Sequence, residues 1–354
     1  QEAKAAKVSN LFAAELTNWR STGLKMALRP GIAWSGDPAP VIQRIPFEFG
    51  GSPRYIELRA SQASCGGVTL SRLFAGNASY GEISSNVIIA DGYGAPIRFN
   101  GSAFTTCTFS TLTGVDPATL DGMIVHHDRV YFWKTEGALE FYYGDVGAVS
   151  GGLARFPLDR LGNIRGSIAA MVSLTVDAGH GMNDMLCIVT TTGQLVLYEG
   201  LNPGDSSDWR LTGRVQAARP VSRNAFVEVG SDAWMLTPLG VVSIGESIRN
   251  SVLALSSDIS APIGQEIEDL VATGAGTWKM FLAGDGSMIV VSRAVGLTAK
   301  QFIYYTKSKS WAAADMPVRD WHNLGGVPQC TGFDGRIGTF KHQGSGEVIT
   351  ARWV

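Results

Sequence analysis

The sequence predicts an all-β protein, and within that class a β-propeller of about six blades with a small peripheral β/helical extension. Three observations carry the prediction. A hairpin signal recurs at glycine-to-glycine gaps of 43, 43, 56, 47, 46 and 49 residues. Glycine supplies 43 of 354 residues, an excess that suits many tight turns. Helical periodicity is scarce, whereas short runs rich in Val, Ile, Tyr, Phe, Trp and Thr are common.

The hairpins align at Gly51 (FEFGGSPRYIELRA), Gly94 (IIADGYGAPIRF), Gly137 (VYFWKTEGALEFYY) and Gly193 (CIVTTTGQLVLY). They continue at Gly240 (WMLTPLGVVSI), Gly286 (MFLAGDGSMIVV) and Gly335 (CTGFDGRIGTF). Each joins two apolar runs through a turn that needs positive φ, where glycine carries no steric penalty. A hairpin at this period is the signature of a propeller blade, a four-stranded sheet repeated around an axis. Seven hairpins need not mean seven blades, because end hairpins can join other layers or share one blade between the termini. Residues 1–50 are expected to form an N-terminal extension with peripheral strands, and residues 51–354 the propeller-type domain. An amphipathic helix is expected within residues 2–19, with fainter helical signals at 246–255. Residues 261–272 (APIGQEIEDLVA) suit a surface helix with Pro near its start and acidic residues in the first turn.

Composition narrows the function classes. Hydrophobic residues make up 45% and charged residues 17%, enough for a large core. The net charge of −2 argues against a protein that grips nucleic acid through phosphate contacts. Cysteines at 65, 107, 187 and 330 have no zinc spacing and read as small buried hydrophobes. No apolar run is long enough for a membrane span. The N-terminal residues lack a signal-peptide layout, so a product made in the cytoplasm is expected.

No catalytic, cofactor-binding or metal residue is predicted. His126 and His127 are neighbours on a strand and point to opposite faces, so they suit a turn rather than chelation. DAGHGMND, at 177–184, has glycines at the third and fifth positions where a calcium loop needs oxygen ligands. It suits a tight corner built on Gly179 and Gly181, with Asp177 and Asp184 bonding local backbone. In that corner His180→Ala is expected to be silent and Gly181→Val to impair folding. Nucleophile signatures are absent. Between Trp209 and Trp234 stand Arg210, Arg214, Arg219 and Arg223. Without overall basicity the tryptophans are expected in the core, with the arginines tying strands or neighbouring chains.

The middle of the chain resembles the tail hub or nozzle proteins (tail tubular protein B class) of short-tailed bacteriophages. The resemblance rests on several motifs within residues 131–247. They are the step Tyr143-Gly144-Asp145, the loop at 175–184, the TTTGQLVLYEG hairpin at 190–200, the P…W-x-L-x-G run at 203–213, and ARPVSRNA at 218–225. LTNWRSTGLKMALRPGIAW, at 16–34, is similar to the family's opening. Ala178, His180, Asn183 and Ala218 depart from its pattern. The resemblance implies a propeller-based structural protomer that is not an enzyme. Six copies would form a ring below the head-to-tail adaptor, carry fibres or spikes, and pass double-stranded DNA at ejection without holding it. The site in the virion would be the distal tail. Candidate structural or interface residues are Asp177, Gly179, Gly181, Asp184, Gly193, Trp209, Arg219, Pro220 and Arg223. A propeller glycoside hydrolase or carbohydrate-binding protein acting on host polysaccharide is the alternative.

Overall fold

Strands form wherever apolar residues alternate between two glycine- or Asx-rich turns, and they form along almost the whole chain. In the computed structural model, the structure describes residues 3–4, 16–17, 19–21, 25–28, 31–35, 41–74, 77–112, 114–177, 182–250, 259–341 and 352–353.

The N-terminal strands are β1 (Ala3–Lys4), β2 (Leu16–Thr17), β3 (Trp19–Ser21), β4 (Lys25–Leu28) and β5 (Gly31–Ser35). β1, β4 and β3 form a small sheet in that order. The first large sheet comprises β6 (Val41–Phe49), β7 (Ser52–Arg59), β8 (Gln62–Cys65) and β9 (Val68–Ser71). The second comprises β10 (Ser79–Ile83), β11 (Asn86–Ala90), β12 (Ile97–Phe99) and β13 (Phe104–Thr106). The third holds β14 (Phe109–Thr111), β15 (Gly122–His126), β16 (Arg129–Trp133), β17 (Glu140–Tyr143) and β18 (Gly151–Pro157), with β14 parallel to β18 at its edge.

The fourth is β19 (Ile168–Asp177), β20 (Met182–Thr190), β21 (Gln194–Glu199) and β22 (Arg210–Gln216). The fifth has three strands, β23 (Phe226–Val229), β24 (Asp232–Thr237) and β25 (Gly240–Ser243), and runs into α1 (Ile244–Asn250). After α2 (Gly264–Ala272) come β26 (Thr277–Leu282), β27 (Met288–Val295), β28 (Thr298–Tyr305) and β29 (Ser310–Ala314). This sixth sheet is extended by β2, parallel to β29, and then by β33 (Arg352–Trp353). The seventh is β30 (Val318–Leu324), β31 (Val327–Gly332), β32 (Ile337–Lys341) and the N-terminal strand β5.

Seven successive sheets with few helices make a seven-bladed β-propeller, which corrects the expected count of about six. Each of the seven glycine hairpins lies in its own sheet. The last is not shared with another blade, because β5 gives it a fourth strand through pairs running from Ile337↔Ser35 to Lys341↔Gly31. At both ends of the stretch 2–19, within which a helix is expected, the chain is extended. Ala3–Lys4 and Leu16–Thr17 are strands paired with β4, β29 and β33, and residues 5–15 lie outside the described residues. The helix expected at 261–272 is present as a short 3-10 turn, Ala261–Ile263, leading into α2.

The chain divides into two compact units, residues 1–55 with 269–354, and residues 56–268. The expected domain limit at residue 50 falls inside the β6–β7 hairpin. In the second unit, cores form between consecutive sheets. Leu186 and Ile188 join Tyr131, Phe141, Tyr198 and Trp209 on one face, while Met185, Cys187 and Val189 join Ala233 and Met235 on the other. This is the two-residue period of a strand whose two faces are both buried.

Two glycines are fixed by close approach. Gly122 faces Trp133 directly across the β15–β16 pair, and a Cβ there would lie 2.0 Å from the indole. Gly193 adopts φ +86°, and a Cβ would come within 2.5 Å of the Ala217 carbonyl oxygen. By contrast Gly286, at φ +66°, has open space around it. Gly122→Ala and Gly193→Ala are each expected to cost about 2–4 kcal/mol by denaturant unfolding, and Gly286→Ala about 1 kcal/mol, the penalty of the left-handed backbone alone. Equal losses at the three positions would contradict this packing.

Candidate functional site

Polar groups in the second unit gather at the two ends of β15, the first strand of its blade. At its start stands Asp121. One carboxylate oxygen accepts the Thr135 backbone N–H at 2.7 Å, and the other pairs with Arg223 Nη1 at 2.6 Å. The Asp121 carbonyl accepts from Ser79 Oγ at 3.0 Å and Arg223 Nη1 at 3.1 Å. Arg223 Nη2 donates to the Asn77 carbonyl at 2.7 Å. One guanidinium from the segment before β23 therefore ties the starts of β10 and β15. The fork geometry of arginine allows this double reach, which a lysine would not reproduce.

At the other end, His126 is buried and its Nδ1 lies 2.7 Å from Ser173 Oγ of β19, the next blade. His127 and Asp128, both with positive φ, turn the chain into β16, and the two imidazole rings touch edge to face at 4.1 Å. Burial pushes the His126 pKa down to about 4, His127 lowers it further, and Asp184 opposes the shift. Such a histidine is neutral at pH 7 and a weak base. Among the described residues its buried Nε2 has no hydrogen-bond partner. Asp184 is engaged elsewhere, accepting from the Thr175 hydroxyl at 2.7 Å. The serine–histidine contact joins β15 to β19 of the next blade.

The sequence-singled residues fall into three groups. Asp177 ends β19, paired in register with Met182, and Asp184 lies on β20 opposite Thr175; Gly179, His180 and Gly181 lie outside the described residues. Gly193 forms the β20–β21 turn. Trp209 is buried and stacks on Tyr198 at 5.1 Å with an 11° interplanar angle. Pro220 is buried, Arg219 is exposed, and Arg223 is the clamp described above. Arg210 pairs with Glu199, and Arg214 donates to the Gly162 carbonyl at 2.9 Å. The structure thus brings Arg223 to Asp121. Sequence reasoning missed Asp121, Asn77 and Ser173, whose partners are 102, 146 and 47 residues away. No local pattern marks them.

All four cysteines are buried. Burial pushes the Cys187 thiol up to about 12 and the Cys107 thiol up to about 11, leaving both unreactive at neutral pH. Among the described residues no group of three His, Cys, Asp or Glu side chains is placed to hold a metal ion. Nor is any helix among them long and apolar enough to cross a membrane.

No family model matches the chain, and no curated protein matches it. Among solved structures, it is similar to BBS1N in complex with ARL6DN. The mercury-soaked form gives TM-score 0.52 at 9% identity over 88% of this chain and 97% of that one. The lead-soaked form gives TM-score 0.52 at 10% identity over 90% and 99%. BamB from Moraxella catarrhalis aligns with TM-score 0.44 at 10% identity over 86% and 98%. At these identities the likeness to BBS1N shows the propeller fold alone.

Two outcomes follow. His126 has a native pKa of about 4 against 6.5 when unfolded. The unfolded chain takes up a proton between those values and the native chain does not, so stability falls as pH drops from 6.5 to 4. The loss amounts to about 3 kcal/mol. His126→Gln is expected to remove this part of the acid sensitivity, read as the difference between wild-type and variant unfolding at pH 7 and pH 4.5. Arg223→Met, which leaves Asp121 and the Asn77 carbonyl short of donors, is expected to cost about 2–3 kcal/mol, with Arg223→Lys recovering less than half.

Proposed function

We propose that this chain is a structural subunit of the tail nozzle of a short-tailed bacteriophage, working as a scaffold rather than an enzyme. The observation that carries the reading is where the family-like motifs fall. The 190–200 hairpin supplies the β20–β21 turn and β21. The 203–213 run contains Trp209, stacked in the core between two blades. The 218–225 step contains Pro220 and Arg223, which set the approach to β23 and the Asp121 clamp. The resemblance therefore concentrates at joints of the framework, as expected of a family selected for assembly.

In this reading six copies form a closed ring through heterologous contacts, with the adaptor above and fibres or spikes at the sides. Double-stranded DNA passes through in transit. A net charge of −2 suits a wall that a polyanion slides past, since phosphate-gripping proteins carry a basic excess. The small sheet of β1, β4 and β3 and the added strands β2 and β33 offer extra edges beyond the seven blades.

The purified chain is expected to give six-fold rings by native mass measurement and negative-stain microscopy, without retaining duplex DNA at physiological salt. Antibody to the chain is expected to place gold at the distal tail of virions from its source. A chain that stays monomeric at micromolar concentration and labels no particle would remove the nozzle reading. Cleavage of host polysaccharide, lost on changing a carboxylate, would replace it with the hydrolase.

A further inference from the structure

The tip of the β12–β13 hairpin carries chemistry that a scaffold role does not use. It reads Asn100-Gly101-Ser102-Ala103, and Asn100 is the one asparagine in the chain that is followed by glycine. The strands clamp the turn from below. Phe99 pairs with Phe104 across the hairpin, with ring centres 4.5 Å apart. One step further down, Arg98 Nε donates to Thr105 Oγ1 at 2.9 Å. Asn100 and Ser102 are both exposed, so water reaches the turn.

The Asn100 amide is tied into this turn by its oxygen. Oδ1 accepts from the Ser102 backbone N–H at 3.0 Å, from Ser102 Oγ at 3.0 Å and from the Ala103 backbone N–H at 2.8 Å. The side-chain oxygen thus takes the part that a backbone carbonyl plays in an ordinary turn. Anchoring Oδ1 on the two N–H groups that follow Gly101 keeps the amide beside the Gly101 peptide. Three donors on one oxygen also draw electron density from Cγ, as the donors of an oxyanion hole do in acyl transfer. Gly101, at φ +90°, has no side chain to obstruct an approach. Other asparagines lack this combination. Val87, Ile164 and Leu324 follow Asn86, Asn163 and Asn323, and Pro203, which follows Asn202, has no N–H. The Asn323 amide is held at both ends, by the Gly284 N–H at 2.7 Å and the Leu282 carbonyl at 3.0 Å.

We propose that Asn100 is a modification site, where the turn converts its own amide to isoaspartate through a succinimide. The Gly101 nitrogen loses its proton to hydroxide and attacks Asn100 Cγ. A C–N bond forms, the Cγ–Nδ2 bond breaks, and Nδ2 takes a proton from water and leaves as ammonia. Water then opens the five-membered ring at either carbonyl, giving aspartate or isoaspartate. No oxidation or reduction occurs, and water is the co-reactant. Either product adds one negative charge at the edge of the second blade. Isoaspartate also inserts a methylene into the backbone of a tight turn. This inference stands apart from the nozzle reading, since neither ring formation nor tail location enters it.

The test is to age the purified full chain at neutral and at mildly alkaline pH. Peptide mass mapping and methyl transfer by a protein isoaspartate methyltransferase read the product. Isoaspartate is expected first in the peptide that holds residue 100, at a rate that rises with hydroxide concentration. Asn100→Gln is expected to abolish the signal from that peptide. Ser102→Ala, which removes one bond to the reacting oxygen, is expected to slow the reaction about fivefold. Ser102→Thr keeps the hydroxyl and is expected to keep the rate, which separates polarisation of the amide from mere filling of the turn. Isoaspartate arising first at another asparagine, a residue-100 peptide that stays unmodified, or a Ser102→Ala rate equal to or above that of the wild type would each overturn the proposal.

Discussion

Every blade must be apolar on both faces, and the rest of the structure depends on that constraint. A sheet packed between two others has no solvent side, so its middle strands carry unbroken buried runs rather than alternating ones. Residues 87–90 of β11, 130–133 of β16, 185–190 of β20, 195–198 of β21 and 288–292 of β27 are all buried. Outer strands are released from the rule: β22 has no buried residue, and β9 and β13 have none either. Aromatic residues fill the space between blades, and glycine is retained where a ring must lie flat, as Trp133 does across Gly122.

Apolar packing of this kind fixes distance better than register, and the polar contacts between blades supply what it lacks. Arg223, Asp121, Ser79 and Asn77 bind strand starts from three sheets, and His126 with Ser173 joins the far end of β15 to β19. These are buried or half-buried groups whose partners are supplied by neighbouring blades. Each is costly to leave unmet. They act as registration devices between blades, and burial keeps His126 neutral in that joint.

The fold was legible wherever it was written locally. Seven glycine hairpins fall on seven sheets because a tight turn and its flanking apolar runs occupy about a dozen neighbouring residues. The blade count was less legible, since it hinged on β5, whose partner strand is remote in sequence. On either side of residues 5–15, Ala3–Lys4 and Leu16–Thr17 are drawn into strands by pairing with β4, β29 and β33, contacts that weak local preference does not announce. At the site, Trp209 and Arg223 stood out in the sequence as large or charged residues near turns. Asp121, Asn77 and Ser173 did not, because nothing within a few residues distinguishes a surface Asp or Ser from one that a distant blade will claim.

The pairing of β5 with β32 also sets an order of events for the ribosome. Ser35 and Ile337 are 302 residues apart. At ordinary elongation rates β5 waits about 15–60 s before its partner strand has been made. Through that interval the seventh sheet has no partner strands, and β5 presents an open edge able to pair with another chain. Synthesis in a crowd of identical nascent chains thus puts the last blade, and not the first, at greatest risk of being completed by the wrong molecule.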